Sequence, residues 1–420
     1  MRVPAFLRSF FELLPSRIDQ AIAGRTLRTF RVRRQRDRFG AAPAASDGQP
    51  RRLYIDVTVI SRHDAGTGIQ RVVRALALAL VDEASPAWEV HFVAATRRRA
   101  YRHIAWPDAG RAVAPIAIEA RPGDVFLGLD FSLDMIRRHR RQLAKFRLDG
   151  GGLWFLIYDL LPVERPEWFS PNNVIRYKAW LETIAGIANG LLSISQQTAD
   201  DLKHVLADQY GLTGGYSTGI IPMGHAIMES VLQNAADISS APSVRFDTTH
   251  PFLLMVGTLE PRKGHADILA AFNELWRQGS DYRLVLVGRQ GWQVESLCNA
   301  IRNHPEHGAK LLWFDDVDDL ELEQIYQACE GFIIASHAEG FGLPLIEALG
   351  HLKPVLARDL PVFRVHEDRG VHFFPANAEA GELGDHIRRW IGDILAGTVT
   401  VKPPVANWKK SAQAVLAILD

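Results

Sequence analysis

Cysteine is nearly absent from this 420-residue chain, which has only Cys298 and Cys329. Two isolated thiols cannot build a disulfide framework or a thiolate metal cluster, and they fit a reducing, cytoplasmic setting. Net charge is missing as well, because 48 Lys and Arg are matched by 48 Asp and Glu. No basic, aromatic-lined groove is visible either, so nucleic acid is not an expected partner. No apolar run reaches the roughly 18 residues that a membrane-crossing helix needs. His63, His225, His337 and His351 lack metal-ligand spacing and read as structural or solvated. No Asp-x-Asp is read in a strand-end context suited to a metal, so neither a metal nor any other cofactor is expected.

Apolar content is ample by contrast, at 47% of residues, enough for two cores. In the C-terminal half, strand-like runs near Phe252, 283–287, 310–314, 331–335, 355–357 and 371–374 alternate with helical runs at 264–276, 294–302, 320–329 and 344–349. The N-terminal half repeats the alternation, with strands at 53–60, 88–94, 125–129, 153–158 and 190–195 and helices such as 70–80 and 196–206. This is the signature of α/β, parallel, doubly wound sheets, so two Rossmann-like domains are predicted. Small polar residues and prolines at 239–243 and 247–251 mark a linker, which places the boundary near residue 245. The expected division is an extension over 1–50, domains over 51–245 and 246–405, and a crossover segment over 406–420 whose helix runs from Trp408 to Leu419.

The extension is unlike the rest. Phe6, Leu7, Phe10, Phe11, Leu13, Leu14 and Ile18 make an apolar helical stripe, followed by Arg25, Arg28, Arg31, Arg33, Arg34, Arg36 and Arg38. Such a segment can lie in a bilayer interface while its cations attract anionic headgroups, which makes residues 1–38 a candidate for peripheral contact with the cytoplasmic face of a membrane. The competing reading is an extra helix docked on the first domain, followed by a disordered basic linker. Arg8 and Glu12 interrupt any signal-peptide core.

Three segments carry the chemistry. The first is His337-Ala338-Glu339-Gly340-Phe341-Gly342-Leu343-Pro344-Leu345-Ile346-Glu347, which follows the apolar run 331–335. Strand, glycine loop and helix start follow in order, with Pro344 suited to the first turn. Backbone N–H groups at Gly340, Phe341, Gly342 and Leu343 would favour a phosphate or sugar oxygens. Glu347, one turn into the helix, can accept hydrogen bonds from two vicinal hydroxyls such as those of a ribose, and Glu339 stays nearer the transferable group. The second segment, Gly257-Thr258-Leu259-Glu260-Pro261-Arg262-Lys263-Gly264, puts two cations after a strand. Arg262 offers a planar fork and Lys263 a mobile ammonium, suited to the charge on a departing nucleoside diphosphate. The third, Gly66-Thr67-Gly68-Ile69-Gln70-Arg71-Val72-Val73, is a tight turn opening a helix.

The span from Glu339 to Glu347, with Gly-Phe-Gly-Leu-Pro between, resembles the Glu-x7-Glu motif of retaining glycosyltransferases of the GT-B fold, family 4 in particular. The resemblance runs from about residue 51 to 420 and implies two facing domains with a terminal helix crossing back to the first. It implies Glu347 at the nucleotide ribose, Glu339 at the donor sugar, and Gly257, Thr258, Arg262 and Lys263 at the diphosphate. Gly66 and Gly68 would line the cleft. Many relatives carry His-Asp where this chain has Tyr158-Asp159. Asp159 can still orient hydroxyls or cap the next turn, but the imidazole's role does not pass to Tyr158. The implied activity is metal-independent transfer of a hexose, with mannose from GDP-mannose as first choice, to a glycan or polyprenyl-linked oligosaccharide in polysaccharide biosynthesis. The alternatives are a nucleotide-sugar epimerase, a phosphorylase, or a non-catalytic carbohydrate-binding protein.

Overall fold

The computed structural model describes residues 24–40, 48–108, 110, 112–226 and 244–420. The stripe at 6–18 and the linker at 239–243 lie outside them. The chain divides into two compact units: the first runs to Ile221 and takes back Ala412–Asp420, and the second is Pro222–Ser411. The division falls earlier than residue 245, directly after the last strand of the first sheet.

In the first unit, β1 (Arg51–Asp56), β2 (Trp88–Ala94), β3 (Arg102–His103), β4 (Val125–Gly128), β5 (Gly152–Ile157), β6 (Gly190–Ser193) and β7 (Ser217–Ile220) form one sheet in the order β3-β2-β1-β4-β5-β6-β7. All neighbours are parallel except β2 and β3. Buried side chains such as Tyr54, Phe126, Phe155 and Leu191 share one core with residues of helices 171–187 and 196–210. The order reverses between β1 and β4, and crevices for ligands form at the carboxyl ends of such strands.

At that reversal sits a buried polar knot. The apolar run 53–60 predicts a longer strand, yet β1 stops at Asp56, because the Asp130 carboxylate accepts hydrogen bonds from the Val59 and Ile60 amides and turns the chain. Asp56 is fully buried, accepting from the Thr58 amide at 3.0 Å, the Tyr101 hydroxyl at 3.0 Å and the Ser132 hydroxyl. Burial, with Asp130 adding to it, pushes the Asp56 carboxyl up to about 7. The loop beyond is held by Gln70, whose side-chain oxygen accepts from the Ala65 and Thr67 amides and whose amide donates to the His63 carbonyl at 2.7 Å. Thr67 caps the helix Gly68–Glu83 in return.

The arginine run forms the helix Arg25–Arg36, packed on helices 171–187 and 196–210 through the buried Val32. Arg36 donates to the Ala185 carbonyl at 2.8 Å and the Ala188 carbonyl at 3.2 Å, at the end of helix 171–187, where unpaired carbonyls concentrate negative charge. Arg31 pairs with Glu182 at 3.4 Å and Arg33 reaches the Gly211 carbonyl at 3.4 Å. The arginine run, expected as a disordered linker in the docked-helix reading, is instead itself a docked helix over 25–36, with Phe30 and Arg34 on its outward side.

In the second unit, β8 (Phe252–Val256), β9 (Arg283–Val287), β10 (Leu311–Phe314), β11 (Gly331–Ile334), β12 (Val355–Arg358) and β13 (Val371–Phe374) form a wholly parallel sheet in the order β10-β9-β8-β11-β12-β13. Its reversal lies between β8 and β11. The last helix, Trp408–Leu419, begins in this unit, where the Trp408 indole donates to the Ala226 carbonyl at 2.9 Å. Its end belongs to the first unit, where Asp420 accepts from the Trp88 indole at 3.0 Å and Gln413 reaches Glu83 at 2.7 Å.

Asp56 makes the fold sensitive to pH. Its raised pKa means that the folded chain keeps a proton which the unfolded chain releases near pH 4, so stability falls as pH rises from about 4 to about 7. Asp56→Asn, which carries no titrating proton, is expected to lose less melting temperature than the parent between pH 5 and pH 8, as measured by thermal unfolding across that range.

Candidate active site

The two charged segments of the second unit leave from β8 and β11, neighbours at the reversal of the strand order. After β8 the chain enters a short 3₁₀ turn, Pro261–Lys263, and Gly264 follows with φ of +72°. A Cβ at Gly264 would lie 2.2 Å from the Ala335 carbonyl oxygen, so only glycine lets this turn come so close to the end of β11. The approach is fastened by the His337 amide, which donates to the Arg262 carbonyl at 2.7 Å.

Side chains from the two loops then meet. Lys263 makes a short ion pair with Glu339 across 76 positions of sequence, and Arg262 stands 3.5 Å from the other Glu339 oxygen. Arg262 also donates to Glu260 at 2.9 Å, and the Ser336 hydroxyl donates to Glu339 at 2.6 Å. All three charged groups are largely out of water, with 15%, 14% and 10% of the Arg262, Lys263 and Glu339 side chains exposed. Burial pushes the Glu339 carboxyl up, but Lys263 and Arg262 outweigh it and hold the group below the usual carboxylate value. Glu339 is therefore anionic at neutral pH. Burial lowers the Lys263 ammonium against the pull of Glu339. Gly257 lies beside the Lys263 stem, where an added Cβ would meet Cε at 3.8 Å, and Thr258 continues the same strand end.

Gly342 precedes the helix Leu343–Gly350 with φ of +92°, and a Cβ there would strike the Phe363 ring at 2.5 Å. Phe341 meets the His366 ring edge to face, 6.3 Å between centroids, while the Gly340 backbone is buried. Glu347 lies on the inner side of this helix, 2% exposed, and accepts from the Tyr326 hydroxyl at 3.0 Å. Of the candidate residues, Arg262, Lys263 and Glu339 are joined directly, whereas Glu347 is held one turn further along.

Gly66, Gly68 and Asp159 belong to the first unit. Gly66 takes φ of +65° with open space where a Cβ would stand, and Gly68 opens the Gly68–Glu83 helix. The Asp159 carboxylate accepts from the Leu161 amide at 3.2 Å, a local turn contact. Tyr158 is buried and donates to the Leu129 carbonyl at 2.8 Å, so the position that carries His in many relatives is part of the core here.

Sequence reading missed several groups. Glu260 and Ser336 flank the recognised charges, but single acids and serines in loops give no signal. Arg358 is 2% exposed at the end of β12, donating to the Ala335 carbonyl at 2.9 Å and pairing with Asp267, which also lies 3.2 Å from His337. A lone arginine ending an apolar strand was the available clue. An Asp-x-Asp does follow β10, contrary to the sequence reading. Asp316 pairs with Arg245, and Asp318 caps helix 319–328 through the Glu321 amide at 2.8 Å. Among the described residues, no three His, Cys, Asp or Glu side chains are grouped to hold a metal ion.

Residues 239–396 match the family described as glycosyl transferases group 1. The chain is similar to the serotype-specific mannosyltransferase WbdA of Escherichia coli, 32% identical over 395 residues that make up 90% of this chain and 47% of that protein. It thus spans about half the length of the curated relatives it matches. Among solved structures, sucrose-phosphate synthase from Thermosynechococcus elongatus has a TM-score of 0.54 at 16% identity, covering 88% of this chain and 95% of that one. Anabaena HepE in complex with UDP and glucose has a TM-score of 0.53 at 17% identity, covering 88% and 97%. At such identities the likeness is one of fold, which is GT-B.

Because each member of the charged cluster neutralises another, single truncations leave a buried charge short of a partner. Lys263→Ala or Glu339→Ala is expected to cost about 3 kcal/mol of stability, and the double variant less than the sum of the two. Chemical denaturation of the three variants checks this.

Proposed function

We propose, from the match of residues 239–396 to the family described as glycosyl transferases group 1, that the chain is a retaining, metal-independent glycosyltransferase that moves mannose from GDP-mannose to a growing surface glycan. The observation carrying this reading is the convergence of Arg262, Lys263 and Glu339 at the reversal point of the second sheet. The names of the similar Escherichia coli proteins, serotype-specific mannosyltransferase and O-antigen chain mannosyltransferase B, favour the sugar and the pathway class.

In this reading the donor's diphosphate takes over Lys263 and Arg262 from Glu339, and Glu339 turns to the sugar hydroxyls. The Gly340, Phe341 and Gly342 backbone and Leu343 border the diphosphate and sugar, beside Gly257 and Thr258, and Glu347 receives the ribose hydroxyls. Departure of the diphosphate breaks the bond between the anomeric carbon and phosphate oxygen, and the electron pair stays on that oxygen. Fixed cations stabilise this charge without reorganisation. The acceptor hydroxyl attacks from the same face, its oxygen bonding to the anomeric carbon while its proton passes to the departing phosphate. The family resemblance assigns Gly66 and Gly68 to donor binding and Asp159 to orienting acceptor or donor hydroxyls. We infer a polyprenyl-linked oligosaccharide acceptor at the cytoplasmic face of the membrane. The outward side of the Arg25–Arg36 helix, with Phe30 49% exposed, supports contact with anionic headgroups.

Incubation of a panel of nucleotide sugars with a lipid-linked oligosaccharide, with the product anomer read by NMR, tests the assignment. Transfer from GDP-mannose with an α-linked product, undiminished by a chelator, is expected. Arg262→Ala and Lys263→Ala should each lower turnover at saturating donor by about 10² or more. Unchanged turnover would remove them from leaving-group stabilisation. Co-sedimentation with anionic vesicles should be sensitive to salt and weakened in Phe30→Ser/Arg34→Glu.

A further inference from the structure

Glu347 does not act alone. On helix 319–328, Tyr326 is fully buried, and its hydroxyl points at the Glu347 carboxylate, 3.0 Å from Oε2, and at the Pro344 carbonyl, 3.3 Å away. The ring has little freedom to leave. The His351 imidazole stacks on it at 5.2 Å between centroids and 10° between planes, and the Phe332 ring of β11 lies 5.8 Å away, tilted by 40°. His351 is itself held by Glu323, with Nε2 3.3 Å from the carboxylate. A chain of contacts thus runs from Glu323 through His351 and Tyr326 to Glu347.

A glutamate's last torsion is broad, so a carboxylate on a helix has no single preferred rotation of its own. A hydrogen bond from a rigid phenol to one oxygen removes that freedom, and a bond to an ionised acceptor is among the stronger kinds. A carboxylate can accept about four hydrogen bonds, so the one from Tyr326 does not exhaust it. The same O–H is shared, through a longer and weaker branch, with the Pro344 carbonyl in the first turn of the helix that carries Glu347. Orientation and position are therefore set by one group.

We propose that Tyr326 is a positioning residue that fixes the Glu347 carboxylate for the two vicinal hydroxyls of the donor's ribose, so that the enzyme's discrimination between ribose and deoxyribose depends on a side chain that never touches the nucleotide. This rests on the assignment of Glu347 to the ribose. The prediction is specific to one part of the ligand. Loss of the phenol O–H weakens the grip on ribose hydroxyls and leaves the base and diphosphate contacts as they were.

The test uses the 420-residue chain and calorimetric titration with guanosine and uridine diphosphates, each beside its 2′-deoxy and 3′-deoxy forms, read on whichever base binds more tightly. The parent is expected to bind the ribose form about tenfold or more tightly than the deoxy forms, the scale of hydrogen bonds to a charged group. In Tyr326→Phe this preference should shrink to within about threefold, with the affinity for the deoxy forms nearly unchanged. Glu347→Gln should lose it as well, and the double variant should match Glu347→Gln. In turnover, Tyr326→Phe should raise the donor KM and leave kcat close to that of the parent. If Tyr326→Phe keeps the full preference while Glu347→Gln loses it, Tyr326 has no part in orienting the carboxylate, although the ribose assignment stands. If Glu347→Gln keeps the full preference, the ribose assignment itself falls, and the role of Tyr326 with it. A melting temperature for Tyr326→Phe separates these results from misfolding. Should that variant fail to fold, His351→Ala, which frees the ring without touching the hydroxyl, is expected to reduce the preference in the same direction, and an unchanged preference there overturns the proposal.

Discussion

Adjacency of β8 and β11 is the constraint on which the rest of the second domain depends. The strands are neighbours because the order reverses between them, and that reversal brings the loop carrying Arg262 and Lys263 against the loop carrying Glu339. Opposite charges that have lost most of their water then stabilise one another, whereas any of them buried without a partner would cost several kcal/mol. The proximity is possible only because Gly264 has no side chain to collide with the Ala335 carbonyl. Glu260 and Ser336 complete the arrangement, so a cluster of two cations and two acids is neutral as a whole before any ligand arrives.

The first domain uses its own reversal differently. Between β1 and β4 it gathers Asp56, Asp130, Tyr101 and Ser132, and among the described residues no cation bonds to either acid. Asp130 satisfies backbone amides and so shapes the loop after β1, while Asp56 holds hydroxyls. A carboxyl in this position is carried partly protonated near neutrality, because burial and a second acid both oppose its charge. One topological device therefore supports two electrostatic designs, a cluster of paired opposite charges in one domain and an acid-built turn in the other.

Much of this was legible in the residues. Most strand and helix runs of the second half were found within a residue or two, because fully buried parallel strands are short apolar runs and their helices keep a 3.6-residue period, but the helix Ala380–Leu395 was not read. The last helix was placed from Trp408 to Leu419, as observed. Other elements escaped. β7, Ser-Thr-Gly-Ile, is largely exposed at the sheet edge and has no apolar signature. Helix 171–187, buried over most of its second half, shows little amphipathic contrast. The arginine run suggested a membrane-facing tail because sequence cannot reveal that carbonyls at the end of a helix 149 positions away will be the partners of Arg36. At the site, Glu339, Glu347, Arg262 and Lys263 were recognisable from spacing and from family resemblance. Tyr326, Ser336, Arg358 and Asp267 were not, since each acts through a partner that only the fold brings near.

The last helix begins in one domain and ends in the other's set of residues, with Ala412–Asp420 grouped with the chain up to Ile221. The first domain is consequently not a contiguous stretch of gene. Severing the coding sequence at the joint between Ile221 and Pro222 would strip it of the carboxylate that the Trp88 indole holds. Recombination between related genes, in nature or at the bench, then preserves both folds only as an internal cassette spanning roughly Pro222–Ser411, replaced from within while both flanking stretches come from the same parent.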